Sequence, residues 1–171
     1  RYKICSPRFN LEISKKYFNF KNDYLEEDTS DKKFAAVVLF DSLNRTTKPA
    51  AVLHWANQHL KEGGLCFVTT LLSTGLDLQI LGASSARWLP PDHLNAFSIE
   101  GIEEMAKKHG FEVVELSTPG VLDIVQLESA VKENSKMVPE FFKYIFNKRK
   151  DPLTKEMLQE FLQRWNLSSL G

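Results

Sequence analysis

Apolar and polar positions follow three different rhythms along the chain. Residues 34–40 (Phe-Ala-Ala-Val-Val-Leu-Phe) are apolar without alternation. A run of that kind predicts a strand buried on both faces. Asp41 closes its carboxyl end, and a polar turn follows through Asn44, Arg45, Thr46 and Thr47. Pro49 suits the first position of a helix, where its missing N–H costs nothing. Val52, Leu53, Ala56 and Leu60 then recur at helical spacing, predicting one buried face. Lys61 falls in the last turn of that helix, and Gly63 can take the left-handed position after it. Leu65–Leu72 is a second apolar run and reads as a strand. Strand, helix and strand with short connections make one right-handed βαβ unit. Ligands of open α/β sheets bind beyond the carboxyl ends of the strands, so residues 41–44 and the loop after Leu71 are the expected functional rim.

The helical rhythm takes over after this unit. Leu76, Ile80 and Leu81 predict a short helix ended by Gly82. Ser98 can cap a helix whose inner face is Ile102, Met105 and Ala106 and whose end is Gly110. Phe111–Leu116 reads as a strand, and Thr118-Pro119-Gly120 as a turn. Three helices are predicted beyond it: residues 121–132, one started by Pro139 through Phe146, and one started by Pro152. The last carries a stripe of Leu153, Met157, Leu158, Phe161, Leu162 and Trp165, read as core-facing. Ahead of the central unit, Phe9, Ile13 and Tyr17 suggest an amphipathic helix over residues 9–17, and residues 22–31 an acidic loop.

A length of 171 residues suits one domain. Charge narrows the function classes. Twenty-two basic residues balance 22 acidic ones, for a formal net charge of zero. There is no basic footprint for nucleic acid or an anionic membrane. The longest apolar run is far short of the roughly 20 residues that a membrane span needs. The first ten residues lack the apolar core of a signal peptide, so a cytoplasmic setting is expected. Cys5 and Cys66 have no C-x-x-C companion, so no metal site is expected.

The central stretch, with FAAVVLFDSL, KP and HLKEGGLCFVTT, resembles the strand 4, helix, strand 5 segment of class I S-adenosylmethionine-dependent methyltransferases. The usual Glu-His pair of that segment is replaced here by Asn44-Arg45, and the Pro of its K-P-G-G element by Glu62. Trp88-Leu89-Pro90-Pro91-Asp92-His93-Leu94-Asn95-Ala96-Phe97-Ser98 resembles the W-x-P-P-x-H-L-N-x-F-S loop that closes over the active site in one subgroup. HGFEVVEL resembles the junction into strand 6. The resemblance implies an α/β fold with a Rossmann-like, mostly parallel sheet flanked by helices, extended by a helical C-terminal portion. Residues 34–171 form its core. Residues 1–33 align either with the family's strand 2 and 3 region or with a linker after a zinc ribbon.

One family element is missing. No glycine precedes Gly63, so the glycine-rich turn that lets backbone approach the cofactor is not in this sequence. The domain is then a partial or internally deleted copy, or residues outside this sequence complete it near positions 29–33, or the cofactor site is lost. Neither G-x-G-x-x-G nor G-x-x-x-x-G-K-[ST] points to another nucleotide fold.

The resemblance implies methyl transfer from S-adenosylmethionine to a small-molecule acceptor. The competing reading is a non-catalytic domain kept for packing or partner binding, and homo-oligomerisation is left open. His93 is the candidate base, because a loop imidazole at a strand's carboxyl end titrates near neutral pH. Phe40, Asp41 and Leu43 are the expected cofactor contacts. Trp88 and Asn95 are the expected substrate-side residues, each with a structural alternative: lid anchor for Trp88, turn cap for Asn95. His54, His59 and His109 fall on predicted helices and read as structural or solvated.

Overall fold

The computed structural model describes residues 31–85, 87–88, 92–121, 123–133, 136–148 and 152–169. The expected helix over residues 9–17, Cys5, the acidic loop up to residue 30 and the Leu89-Pro90-Pro91 stretch lie outside them. The elements are β1 (Phe34–Phe40), α1 (Pro49–His59), β2 (Leu60–Thr69), α2 (Leu76–Leu81), α3 (Ile99–Lys108), α4 (Asp123–Lys132), α5 (Glu140–Lys148) and α6 (Pro152–Arg164). Among the described residues, no helix is long and apolar enough to cross a membrane.

β1 and β2 pair in parallel, from Ala36 opposite Leu65 to Phe40 opposite Thr69, with α1 as the crossover. This is the expected βαβ unit and an α/β fold of the Rossmann-like kind. Its details differ from the reading above in two places. First, α1 ends at His59, two residues before Lys61. Phe34 pairs with Leu60 while Ala36 pairs with Leu65, so Lys61–Gly64 bulge out of the ladder. Gly63 does take a left-handed φ of 68°, but inside this bulge and not at a helix end. A bulge needs such a residue because a Cβ penalises that conformation.

Second, among the described residues the sheet is covered on one face only. Val37, Leu39, Leu53 and Ala56 form a core with Leu43, and Cys66, Val68, Phe97, Ile102 and Met105 pack against it. The opposite face presents Val38, Phe40, Leu65 and Phe67, all exposed, with Phe40 at 71%. Unbroken apolar sequence therefore marks a strand with two apolar faces, and among the described residues only one of them has found a layer to pack on. Cys66 lies on the covered side, and burial pushes its thiol up to about 11, which keeps it a packing group rather than a nucleophile.

The helix ends follow local chemistry. Ser98 Oγ accepts the Gly101 N–H at 2.9 Å. At the other end of α3, Gly110 has a φ of 81°, and its N–H and that of Phe111 return to Lys107 and Ala106. This is the double bond of a Schellman cap. Asn166 repeats it after α6 at a φ of 54°, with its N–H on Gln163 O and the Leu167 N–H on Leu162 O.

Phe111–Leu116 forms no strand. An extended segment becomes one only when a neighbour supplies a ladder, and no described segment pairs with it. Helices α2, α4, α5 and α6 enclose a second core of Leu81, Ile124, Leu127, Ala130, Val138, Phe146 and Leu162. The α6 stripe splits there: Leu162 is buried and Leu158 packs on this core, but Leu153, Met157, Phe161 and Trp165 face outward. Six apolar residues cover more of a helix than one contact surface can absorb.

Candidate functional site

The rim at the carboxyl end of β1 is a charged cluster. The strand delivers Asp41, whose N–H donates to Thr69 O and to Thr69 Oγ1, both at 3.0 Å. Asp41 has a φ of 50°, a conformation that is strained for a residue with a side chain and is found most often at turns and sites. The turn swings Leu43 inward, where it is fully buried. It also places Arg45 one helical turn after Asp41. Arg45 Nη2 lies 2.6 Å from Asp41 Oδ2, and Arg45 Nη1 pairs with Asp92 from the later loop. Burial works against the Arg45 charge, but hydrogen bonds to Asp92 and Asp41 outweigh it and raise the guanidinium pKa.

His93 completes the cluster, its Nε2 3.4 Å from Asp41 Oδ2. Arg45 Nη2 stands 3.5 Å from the same nitrogen. A guanidinium only donates, so Nε2 accepts from Arg45 and the proton of the neutral ring sits on Nδ1, a tautomer assigned from this geometry. Nδ1 is buried and has no hydrogen-bond partner among the described residues. The arrangement is an imidazole edge, Nε2, set between a carboxylate and a guanidinium, with the other ring nitrogen buried.

Two asparagines hold this cluster. Asn44 is fully buried and lies at the meeting point of three chain segments. Its Oδ1 accepts from Thr70 Oγ1 at 2.8 Å and from the Leu71 N–H at 3.1 Å. Its Nδ2 donates to Asn95 O at 2.9 Å and Leu71 O at 3.3 Å. Its carbonyl accepts the N–H groups of Leu94 and Asn95. Asn95 reciprocates, donating Nδ2 to Leu43 O at 3.0 Å and Thr46 O at 2.6 Å. Both polar atoms of the Asn44 side chain and the Asn95 Nδ2 are thus engaged in strapping the residue 92–97 loop to both strand ends. A buried amide with all its partners in place fixes geometry, because any other arrangement leaves a polar group unpaired. Phe97 adds a parallel bridge to Leu72.

The expected residues are distributed as follows. Asp41, His93 and Asn95 are brought together. Phe40 stands beside them at the strand end, its ring on the uncovered face. Leu43 contributes its carbonyl while its side chain belongs to the core. Trp88 is half-buried five residues before His93, with its N–H on Ser85 O at 3.1 Å. Arg45, Asn44 and Asp92 went unassigned in the sequence reading. The signal for the first two was present: they are the residues that depart from the family's usual pair. His59 and His109 turn Nδ1 to the carbonyls of Trp55 and Met105 four residues earlier. His59 also stacks on Trp55 at 4.3 Å. Among the described residues, no group of three or more His, Cys, Asp or Glu is placed to hold a metal ion.

A second polar cluster lies inside the helical part. Asp123, at the start of α4, is fully buried. It accepts from Ser168 Oγ, from the Ser169 N–H at 2.7 Å and from Gln159 Nε2 at 3.1 Å. Burial pulls its carboxyl upward, but these donors outweigh it and hold the pKa below the usual range. Asp77 faces it from α2, also fully buried, with Arg87 Nε 3.3 Å from its Oδ2. Burial and the neighbouring Asp123 charge push Asp77 up to about 6, against the opposing pull of Arg87.

A family model described as a methyltransferase domain matches residues 5–116. The match takes in β1 through α3 and the whole charged rim, and it ends before α4. No curated protein matches the chain.

Proposed function

The chain belongs to the methyltransferase-domain family, and from that premise we propose that it transfers a methyl group from S-adenosylmethionine to a small-molecule acceptor. The observation that carries this reading is the Asp41–His93 pair, with Nε2 set at the carboxylate. Bound at this rim, the cofactor supplies an electrophilic methyl group on a cationic sulfur. The residues present suit such a cation. Two carboxylates, Asp41 and Asp92, stand against one guanidinium, so the cluster with a neutral His93 carries net negative charge. Phe40, Asp41 and the Leu43 backbone are the groups that would hold the cofactor, with the exposed Phe40 ring as its apolar contact.

The chain's own part is positioning and proton transfer. His93 accepts the proton of an acceptor hydroxyl or amine at Nε2, and Asp41, 3.4 Å from that nitrogen, stabilises the imidazolium that results. Arg45 fixes the Asp41 carboxylate. Asn44 and Asn95 keep the loop that carries His93 at its distance from β1. Trp88 borders the acceptor side. Displacement at a methyl group depends mainly on such alignment.

Isothermal titration of the full chain with S-adenosylhomocysteine tests the reading, with micromolar affinity expected. His93→Ala should bind it as the wild type does, yet lose about 10²–10⁴-fold in turnover with any accepted hydroxyl or amine. Unchanged turnover would remove His93 as the base. The absence of any glycine before Gly63 favours a second reading, a non-catalytic methyltransferase-like domain. No heat from a sample shown to be folded would select it.

A further inference from the structure

Helix α6 has two adjoining apolar faces, and the fold uses one. Leu158 and Leu162 point into the core around Leu127. Leu153, Met157, Phe161 and Trp165 follow one another every four residues on the next face, 62%, 61%, 49% and 69% exposed. At about 100° per residue they span roughly 120° of the helix surface. The Phe161 and Trp165 rings are 6.3 Å apart between centroids, so the stripe is continuous at its end. A contiguous apolar surface of this sort marks an interaction site.

We propose that this stripe is a homodimer contact, in which α6 packs antiparallel on α6 of a second copy about a two-fold axis. The stripe is complementary to itself. With the axis at its midpoint, Leu153 meets Trp165 of the second copy and Met157 meets Phe161, so the smaller side chains face the larger ones. The charges agree. Glu156, Glu160 and Arg164 line one edge of the stripe on the helical wheel. Arg164 holds Glu160 at 2.6 Å, while Glu156 has no ion-pair partner among the described residues. A two-fold axis of this kind reverses the helix direction and keeps each edge on its own side. It sets Arg164 of one copy about 3 Å along the axis from Glu156 of the other.

The area also fits. With about 150–250 Å² for side chains of this size, the four expose about 500 Å² per copy. Pairing then removes up to about 1,000 Å² in total, in the range of small, weak interfaces. The chain's net charge of zero adds no overall repulsion between copies. An interface this small, with two aromatic anchors, belongs to a dimer of micromolar affinity.

Sedimentation equilibrium of the full chain across the micromolar range tests this, read as mass against concentration. The wild type should pass from one chain to two. Met157→Asp with Phe161→Asp should shift the midpoint upward by about 100-fold or more with an unchanged far-ultraviolet spectrum, since both positions are exposed. Glu156→Arg alone should weaken pairing by up to about tenfold, and Arg164→Glu added to it should recover most of that loss. A wild-type chain that stays monomeric throughout overturns the proposal. So does a folded Met157→Asp, Phe161→Asp chain that still dimerises.

Discussion

Two clusters of the same composition, a pair of aspartates and one arginine, sit in opposite surroundings. At the β1 rim, Asp41 and Asp92 share Arg45 within partial reach of solvent. Inside the helical part, Asp77 and Asp123 are fully buried, and Arg87 reaches only one of them. Water screens the rim, so its charges cost little and stay available to a ligand. The inner pair has no such relief, and each carboxylate there depends on its own donors. Asp123 has three and Asp77 has fewer, which is why one carboxyl is held below the ordinary range while its neighbour is pushed above it. Identical residue types thus divide into a screened rim and a structural clasp by burial and by the donors each carboxylate finds.

The sharpest way to break this comparison is to remove one acid from each cluster. Asp123→Ala strands the buried Ser169 N–H and one Gln159 N–H, while Ser168 and Gln159 keep the Gly120 carbonyl, and should cost about 3 kcal/mol in urea unfolding. Asp92→Ala at the rim should cost about 1 kcal/mol or less. Equal losses would mean that the two clusters do not differ in kind.

A smaller effect concerns pH. The folded Asp77 carboxyl, pushed up to about 6, binds its proton more tightly than it does in the unfolded chain. Stability from this group therefore falls as pH rises through about 4 to 6, and the full penalty is present above that window. The wild type should have a higher urea midpoint near pH 5 than near pH 7.5. Asp77→Asn should flatten that difference, and an unchanged slope would locate the titration elsewhere.

The smallest effect separates the clusters by salt. Arg45→Gln should lose about 1 kcal/mol at low ionic strength and almost nothing near 1 M salt, because the rim pairs are already screened there. A loss independent of salt would place Arg45 among the buried charges.

What could be read in advance followed the range of the interaction involved. The Ser98 cap, the turn at Gly110, the helix starts at Pro49 and Pro152 and the helix end at Gly82 each rest on a conformation or a bond within about four residues. The βαβ pairing was equally legible, since a short crossover leaves one topology. His93 and Asp41 were each picked out singly, from their positions at a loop and a strand end. The link between them was not visible, nor was the role of Asn44, whose partners Leu71 and Asn95 lie 27 and 51 residues away. Arg45 and Asp92 escaped notice for the same reason, as an ion pair joining two loops leaves no periodic trace.

The sequence by itself determined where the chain turns, which segments carry apolar faces and which polar residues stand at strand ends. Backbone sterics and side-chain period act locally, so these follow from neighbours alone. Only the tertiary structure decided which apolar faces are covered. Phe34–Phe40 packs one side on α1 and leaves the other open, and α6 buries Leu162 but not Phe161. It also decided which charges meet. Burial and pairing depend on what arrives from distant parts of the chain, and one apolar or acidic residue reads like another until that neighbour is in place.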